Sequence, residues 1–125
     1  MSYYSVGEGG LVLSRPLVWS EYGGSRFALY FPEGYSSEGR TDLTLREEQG
    51  LATHIEWRYA DKSRKYDVLS ELTELATLLW SLGVTVTGWL VRVGENIGDV
   101  ERYTIDVCVP RSEKAELRWP DGSTV

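Results

Sequence analysis

Tyr66-Asp67-Val68-Leu69-Ser70-Glu71-Leu72-Thr73-Glu74-Leu75-Ala76-Thr77-Leu78-Leu79-Trp80-Ser81-Leu82-Gly83 is the stretch that decides the fold. Val68, Leu72, Leu75, Leu79 and Leu82 recur at spacings of three and four, and Leu69, Ala76 and Trp80 widen the stripe. That pattern describes a helix with one apolar side. The spacing predicts a helix over 66–82, with Ser63 as its N-cap and Gly83 in the left-handed position that ends many helices. A helix of this kind needs a sheet to lie on.

The flanking sequence supplies strands. Residues 43–47 and 51–59 bracket a turn near Gln49-Gly50. In the second arm Leu51, Thr53, Ile55, Trp57 and Tyr59 fall on one side, and Ala52, His54, Glu56 and Arg58 on the other. Such alternation belongs to a half-buried antiparallel strand. After the helix, 84–93 and 100–109 read as two strands joined by a glycine-bounded loop. In the later one Tyr103, Ile105, Val107 and Val109 point one way, and Arg102, Thr104, Asp106 and Cys108 the other. In the earlier one the apolar phase moves from Val84 and Val86 to Trp89, Val91 and Val93, which predicts a bulge at Gly88. Pro110 is expected to end the later strand, and 115–119 to form a last one.

The N-terminal part reads as a short strand over 11–14 after a flexible Gly7-Glu8-Gly9-Gly10. Pro16 then opens a helical turn over 17–21 that Gly23-Gly24 closes. A further strand is expected over 26–31, followed by a loop through Pro32-Glu33-Gly34 and residues 36–39. Hairpin-linked strands on both sides of one helix predict the α+β class. The expected architecture is a two-layer sandwich in which a mostly antiparallel sheet of five or six strands packs against one long helix. It forms a single domain over 1–125.

Composition narrows the function classes. A chain of 125 residues can bury roughly two-thirds of its unfolded surface without staples. Five Trp and eight Tyr against two Phe mean that most rings carry a polar handle, which suits half-buried sheet faces and binding surfaces. The net charge of −6 argues against nonspecific nucleic-acid binding, which depends on neutralising phosphates. Its carboxylates are interspersed with basic residues, as on a solubilising surface. One cysteine, Cys108, cannot form an intramolecular disulfide or a thiolate metal cluster. The N-terminus lacks the basic and apolar regions of a secretory signal, and no apolar run approaches the ~20 residues of a membrane helix. A cytoplasmic protein without membrane association is therefore expected.

Three segments carry a resemblance. They are Gly9-Gly10-Leu11-Val12-Leu13-Ser14-Arg15-Pro16-Leu17-Val18-Trp19-Ser20-Glu21, then Val86-Thr87-Gly88-Trp89-Leu90 with Gly94-Glu95-Asn96-Ile97-Gly98-Asp99-Val100-Glu101-Arg102, and last Leu117-Arg118-Trp119-Pro120-Asp121-Gly122. In order and spacing the chain resembles a family of small proteins of unknown function from actinobacteria and their phages. Asn96 and Glu101 depart from that family's usual pattern, in which an acidic or glycine residue and an aromatic stand at these places. The resemblance brings no established activity with it. What it implies is a phage-related or actinobacterial accessory protein.

Candidate sites are sparse. His54 has no evident nucleophilic or orienting partner except Glu56, and is expected exposed on a solvent face. Cys108 lies in a polar phase with Arg102 nearby and reads as an ordinary half-buried side chain. In the loop after Val93, Glu95, Asn96 and Asp99 offer oxygens between Arg92 and Arg102. The dense ligand pattern of a calcium loop is absent, and no helix begins there to hold a phosphate. A hairpin with Glu95 and Asp99 solvated or paired to the arginines is the expected arrangement. What remains is a surface: if Arg58, Arg92 and Arg102 share the sheet face away from the helix, Trp89 joins them. Arginine forks and stacked rings suit a nucleotide-like ligand or a protein interface.

No metal, cofactor or catalytic residue is expected. The reading is a non-catalytic protein that occupies a host protein, with sequestration of a nucleotide second messenger as the alternative. A homodimer through a sheet edge or the Trp-rich face is a further expectation.

Overall fold

Glycines that read as flexible instead lie in the longest strand. The computed structural model describes residues 4–28, 41–58, 63–64, 68–116 and 118–123. In chain order the elements are β1 (Tyr4–Leu17), α1 (Trp19–Tyr22), β2 (Leu43–Glu48), β3 (Leu51–Trp57), β4 (Ser63–Arg64), α2 (Val68–Ser81), β5 (Val86–Gly94), β6 (Val100–Asp106) and β7 (Val109–Lys114). Six strands follow one another in the order β2-β3-β1-β5-β6-β7, and β4 pairs with β1 off this path. Every strand pair is antiparallel. The structure is mostly sheet, with α2 as its one helix longer than a single turn among the described residues.

β1 sits at the centre, between β5 on one side and β3 and β4 on the other. Its length corrects the expectation of a short strand over 11–14. Gly7 is a requirement of packing: a Cβ there would lie 2.4 Å from the Trp57 ring, and the Trp57 indole N–H donates to the Glu8 carbonyl at 3.0 Å. Pro16 falls inside β1, so the helical turn starts later than expected, at Trp19, and Gly23 caps it. Residues 26–28 make a turn and a single parallel bridge from Ala28 to Leu45 rather than a strand. The rest of the expected strand and the loop beyond it lie outside the described residues.

In the β2–β3 hairpin the pairing shifts from Arg46↔His54 to Glu47↔Ala52, leaving Thr53 as an extra residue. This bulge breaks the alternation expected over 51–59. Ala52, Ile55 and Trp57 are buried, and Leu51 turns outward.

β5 corrects the sequence reading in the opposite sense. Its register with β1 runs unbroken from Ser5↔Gly94 to Leu13↔Val86, so no bulge occurs at Gly88. Gly88 instead takes φ +97, with the Gly10 carbonyl where a side chain would stand. Leu90 and Arg92 are buried, while Trp89, Val91 and Val93 take the other phase. The later hairpin turns at Val107-Cys108, with Val107 at φ 58. Pro110 thus belongs to β7, an edge strand, where proline is tolerated. Residues 115–116 form no strand.

α2 spans 14 residues, fewer than the 66–82 expected. Ser63 lies in β4 and is not its N-cap; residues 65–67 lie outside the described ones. Gly83, at φ +70, follows the helix end as expected. Val68, Leu72, Leu75, Ala76 and Leu79 enter the core with Leu11, Leu17, Ile55, Leu90 and Ile105. Leu69 and Trp80, expected to widen that stripe, are 40% and 60% exposed.

The helix also ties down an end of the sheet. Glu71 is buried, and its two carboxylate oxygens accept the backbone N–H groups of Asp42 (3.1 Å) and Leu43 (3.0 Å) where β2 begins. Arg15 donates to the Leu82 carbonyl at 3.0 Å past the other end of the helix, while a second pair of bonds joins it to Glu21. α2 also lies against β6 and β7, at the opposite end of the strand order from β2. The helix therefore reaches both ends of the strand order.

Burial holds the Glu71 carboxyl above its ordinary value of 4.5, against the two backbone donors that favour its ionised form. A carboxyl raised in the fold contributes stability that is complete at low pH and is lost as pH rises past the unfolded value. Glu71→Gln leaves one of two buried N–H groups facing an amide N–H and should cost about 1–3 kcal/mol. Chemical denaturation of both proteins across a pH series should show that difference narrowing as pH rises above about 4.5.

Candidate functional site

The candidate residues divide between the two faces of β5 and β6. Cross-strand pairing sets Arg92 opposite Glu101 and Val91 opposite Arg102. Period-two alternation then sends the first pair inward and the second outward.

The inward pair builds a buried ion cluster. Arg92 is 0% exposed. Its Nη2 donates to Asp99 Oδ1 at 2.8 Å and to Glu101 Oε1 at 2.8 Å, and its Nη1 reaches Asp99 Oδ2 at 3.3 Å. Tyr103 donates its hydroxyl to the second Glu101 oxygen at 2.8 Å, and its ring meets Trp57 edge-on at 6.1 Å. Glycine at position 7 leaves room beside Arg92 on β1, which the Trp57 indole fills.

The electrostatics follow from that geometry. Hydrogen bonds from the Arg92 guanidinium to Asp99, reinforced by Glu101, hold Arg92 charged well above its ordinary range despite burial. Burial alone would raise Glu101, but the hydrogen bonds from Tyr103 and Arg92 outweigh it and keep the carboxyl below its usual range. Burial, then the Glu101 hydrogen bond, pushes the Tyr103 phenol up to about 12. The shifts of Arg92, Glu101 and Tyr103 all move away from neutral pH, so the Arg92–Glu101 pair stays ionised and joins β5 to β6.

The outward side is a surface. Trp89 is 52% exposed, and the Arg102 guanidinium lies 5.3 Å from the centre of its ring. Together with Val91, Val100, Glu113, Lys114 and Ala115 they line an open groove of about 340 Å³. Arg102 is bound to Glu113 at 2.8 Å. Val6 and Val93, paired across β1 and β5, extend the exposed apolar surface from the groove.

The three arginines therefore do not converge. Arg58 donates to the carbonyls of Thr41 (2.9 Å), Arg26 (3.3 Å) and Ala28 (3.3 Å), so it clamps the turn at 26–28 to the residues that lead into β2. Arg92 points into the core. Only Arg102 stays with Trp89. Asp99 is turned in toward Arg92, while Glu95 lies exposed in the β5–β6 loop.

His54 is half-buried instead of exposed, with Nδ1 2.7 Å from the Thr53 hydroxyl, and Glu56 is paired with Arg46. Cys108 is exposed in the β6–β7 turn, not half-buried in a strand. Among the described residues no group of three His, Cys, Asp or Glu side chains is placed to hold a metal.

The sequence reading missed Glu101 and Tyr103 as partners of Arg92. A signal was present: Glu101 shares its phase with Tyr103 and Ile105, so an acid stood on the core side of β6. Comparison with known families, characterised proteins and solved structures returned no match.

Removing one member of a buried ion pair strands the other charge. Arg92→Leu should lower the unfolding free energy by about 3–5 kcal/mol. Adding Glu101→Leu should recover part of that loss, which denaturant titration of the single and double variants measures.

Proposed function

We propose that this is a non-catalytic binding protein that uses the outer face of β5 and β6 to occupy a partner protein. One observation carries the reading: Trp89 stands half-exposed beneath the Arg102 guanidinium, in a groove continuous with exposed valines. Tryptophan and arginine are the residue types on which protein interfaces concentrate their energy. The buried cluster behind them keeps the strands in register without offering reactive groups.

The reading takes the architecture as a two-layer α+β sandwich in which α2 covers one face of the sheet and leaves the other for a partner. No helix among the described residues is long and apolar enough to cross a membrane, which accords with a cytoplasmic role. With the resemblance to actinobacterial and phage proteins, the partner is a host protein and the role that of an accessory factor. Sequestration of a nucleotide second messenger has less support. It called for several arginines around an aromatic floor, and Arg102, the one present, is already held by Glu113.

The test uses purified protein immobilised against an actinobacterial lysate, followed by affinity measurement on the captured partner. Trp89→Ala should weaken that affinity about 30-fold, the effect of a hot-spot residue, with little change in melting temperature. Unchanged affinity would remove the outer face from consideration. A parallel thermal-shift series with mono-, di- and cyclic nucleotides should show no stabilisation. A rise that Arg102→Ala abolishes would favour the nucleotide reading instead.

A further inference from the structure

We infer that α2 is a second interaction surface, and that its partner is another copy of this chain packed antiparallel against it. The inference is independent of the outer sheet face. Within Val68–Ser81 the charged residues are Glu71 and Glu74. Glu71 is buried against β2, and Glu74 is bound to Arg26 through bonds of 2.6 and 2.9 Å. The solvent side of the helix carries Leu69, Ser70, Thr73, Thr77, Trp80 and Ser81, and its one exposed charge, Glu74, stands at its margin, neutralised by Arg26.

Its hydroxyls are also satisfied from within. Thr73 donates to the Leu69 carbonyl at 2.7 Å, Thr77 to the Thr73 carbonyl at 2.9 Å, and Ser81 to the Leu78 carbonyl at 2.6 Å. Side chains bonded back onto their own helix can leave water without stranding a donor. Leu69 and Trp80 meanwhile stand 40% and 60% exposed. A surface helix ordinarily turns several solvated charges outward; this one turns out a single acid, already paired to Arg26, beside threonines that do not need water and two large apolar side chains that gain by leaving it.

Charge and spacing identify the occupant. Each copy carries a net charge of −6, so two copies repel wherever their acidic surfaces meet, and a side whose one exposed acid is paired to Arg26 is where they can approach. Leu69 and Trp80 are eleven residues apart, about 16 Å along the axis and within about 20° of the same direction around it. A two-fold axis passing between Thr73 and Thr77 therefore sets Trp80 of one copy against Leu69 of the other, twice. The small threonines stand at the crossing, where the helices come closest. The surface is complementary to itself, as a two-fold interface requires.

One helix side supplies less than the ~800 Å² per partner of a standard interface. The dimer is accordingly weak and reversible, with a dissociation constant of about 10–100 μM. Two outward sheet faces on one dimer would make the binding protein bivalent.

Sedimentation equilibrium of the full chain from about 5 μM to about 500 μM tests this. The wild-type protein should pass from monomer to dimer across that range. Trp80→Glu, at an exposed position, should remain monomeric with an unchanged far-UV circular dichroism spectrum. Combining it with Leu69→Lys should restore at least a tenfold gain in association over Trp80→Glu alone, because the antiparallel arrangement sets the two new charges against each other. Trp89→Glu, on the sheet, should dimerise as the wild type does. A wild-type protein that stays monomeric throughout would overturn the inference. So would a dimer that Trp80→Glu leaves intact, or one that Trp89→Glu dissolves.

Discussion

The pairing of Arg92 with Glu101 across β5 and β6 sets the phase on which both faces of this half of the sheet depend. Successive side chains of a strand alternate between faces, so placing Arg92 inward places Trp89, Val91 and Val93 outward. A slip of one residue would carry the guanidinium to the surface and leave Glu101 buried without its partner. A buried ion pair is seldom the most stable filling for its volume, and this one leaves the Arg92 Nε without a partner among the described residues. Its contribution is register: hydrophobic side chains fit either phase of a strand tolerably, whereas Arg92 and Glu101 fit together in one. Asp99 adds to the same end by closing the β5–β6 loop back onto the guanidinium.

Glu71 plays a corresponding part between helix and sheet. Its carboxylate accepts the first backbone N–H groups of β2, so α2 is fixed to that end of the sheet by hydrogen bonds while its leucines fill the core. Both acidic anchors are buried, and both leave a surface free on the side they turn away from. Behind Arg92 lies the Trp89–Arg102 groove; behind Glu71 lies the side of α2 that carries Leu69 and Trp80. The functional proposals follow from where the buried charges point.

The sequence was most legible where local pattern and burial agree. Val68, Leu72, Leu75 and Leu79 of α2 repeat with the helical period, and they bury as that period predicts, with Gly83 at the helix end. Hairpins around Gln49-Gly50 and after Val93 were also visible. Legibility failed where a polar residue goes inside or a glycine serves packing. Arg92 counted as polar and sent β5 into the wrong phase, which made a bulge at Gly88 look necessary. Gly7 counted as flexible because nothing near it in sequence reveals the Trp57 ring that needs its space. The bulge at Thr53 likewise depends on pairing with β2, not on the residues of β3. At the candidate site, Trp89 and Arg102 were named and do meet. Arg92 was named for a surface and serves the interior, and Arg58, half-buried, ties neighbouring chain segments together away from Trp89.

The phase of β5 is open to direct measurement by single glutamine substitutions at 89, 90, 91, 92 and 93, each followed by equilibrium denaturation. Leu90→Gln and Arg92→Gln should each cost about 3 kcal/mol or more, because they bury an unmatched amide or strand Glu101. Trp89→Gln, Val91→Gln and Val93→Gln should each cost less than about 1 kcal/mol, as surface changes do. The reverse alternation, with large losses at 89, 91 and 93 and small ones at 90 and 92, would contradict the account.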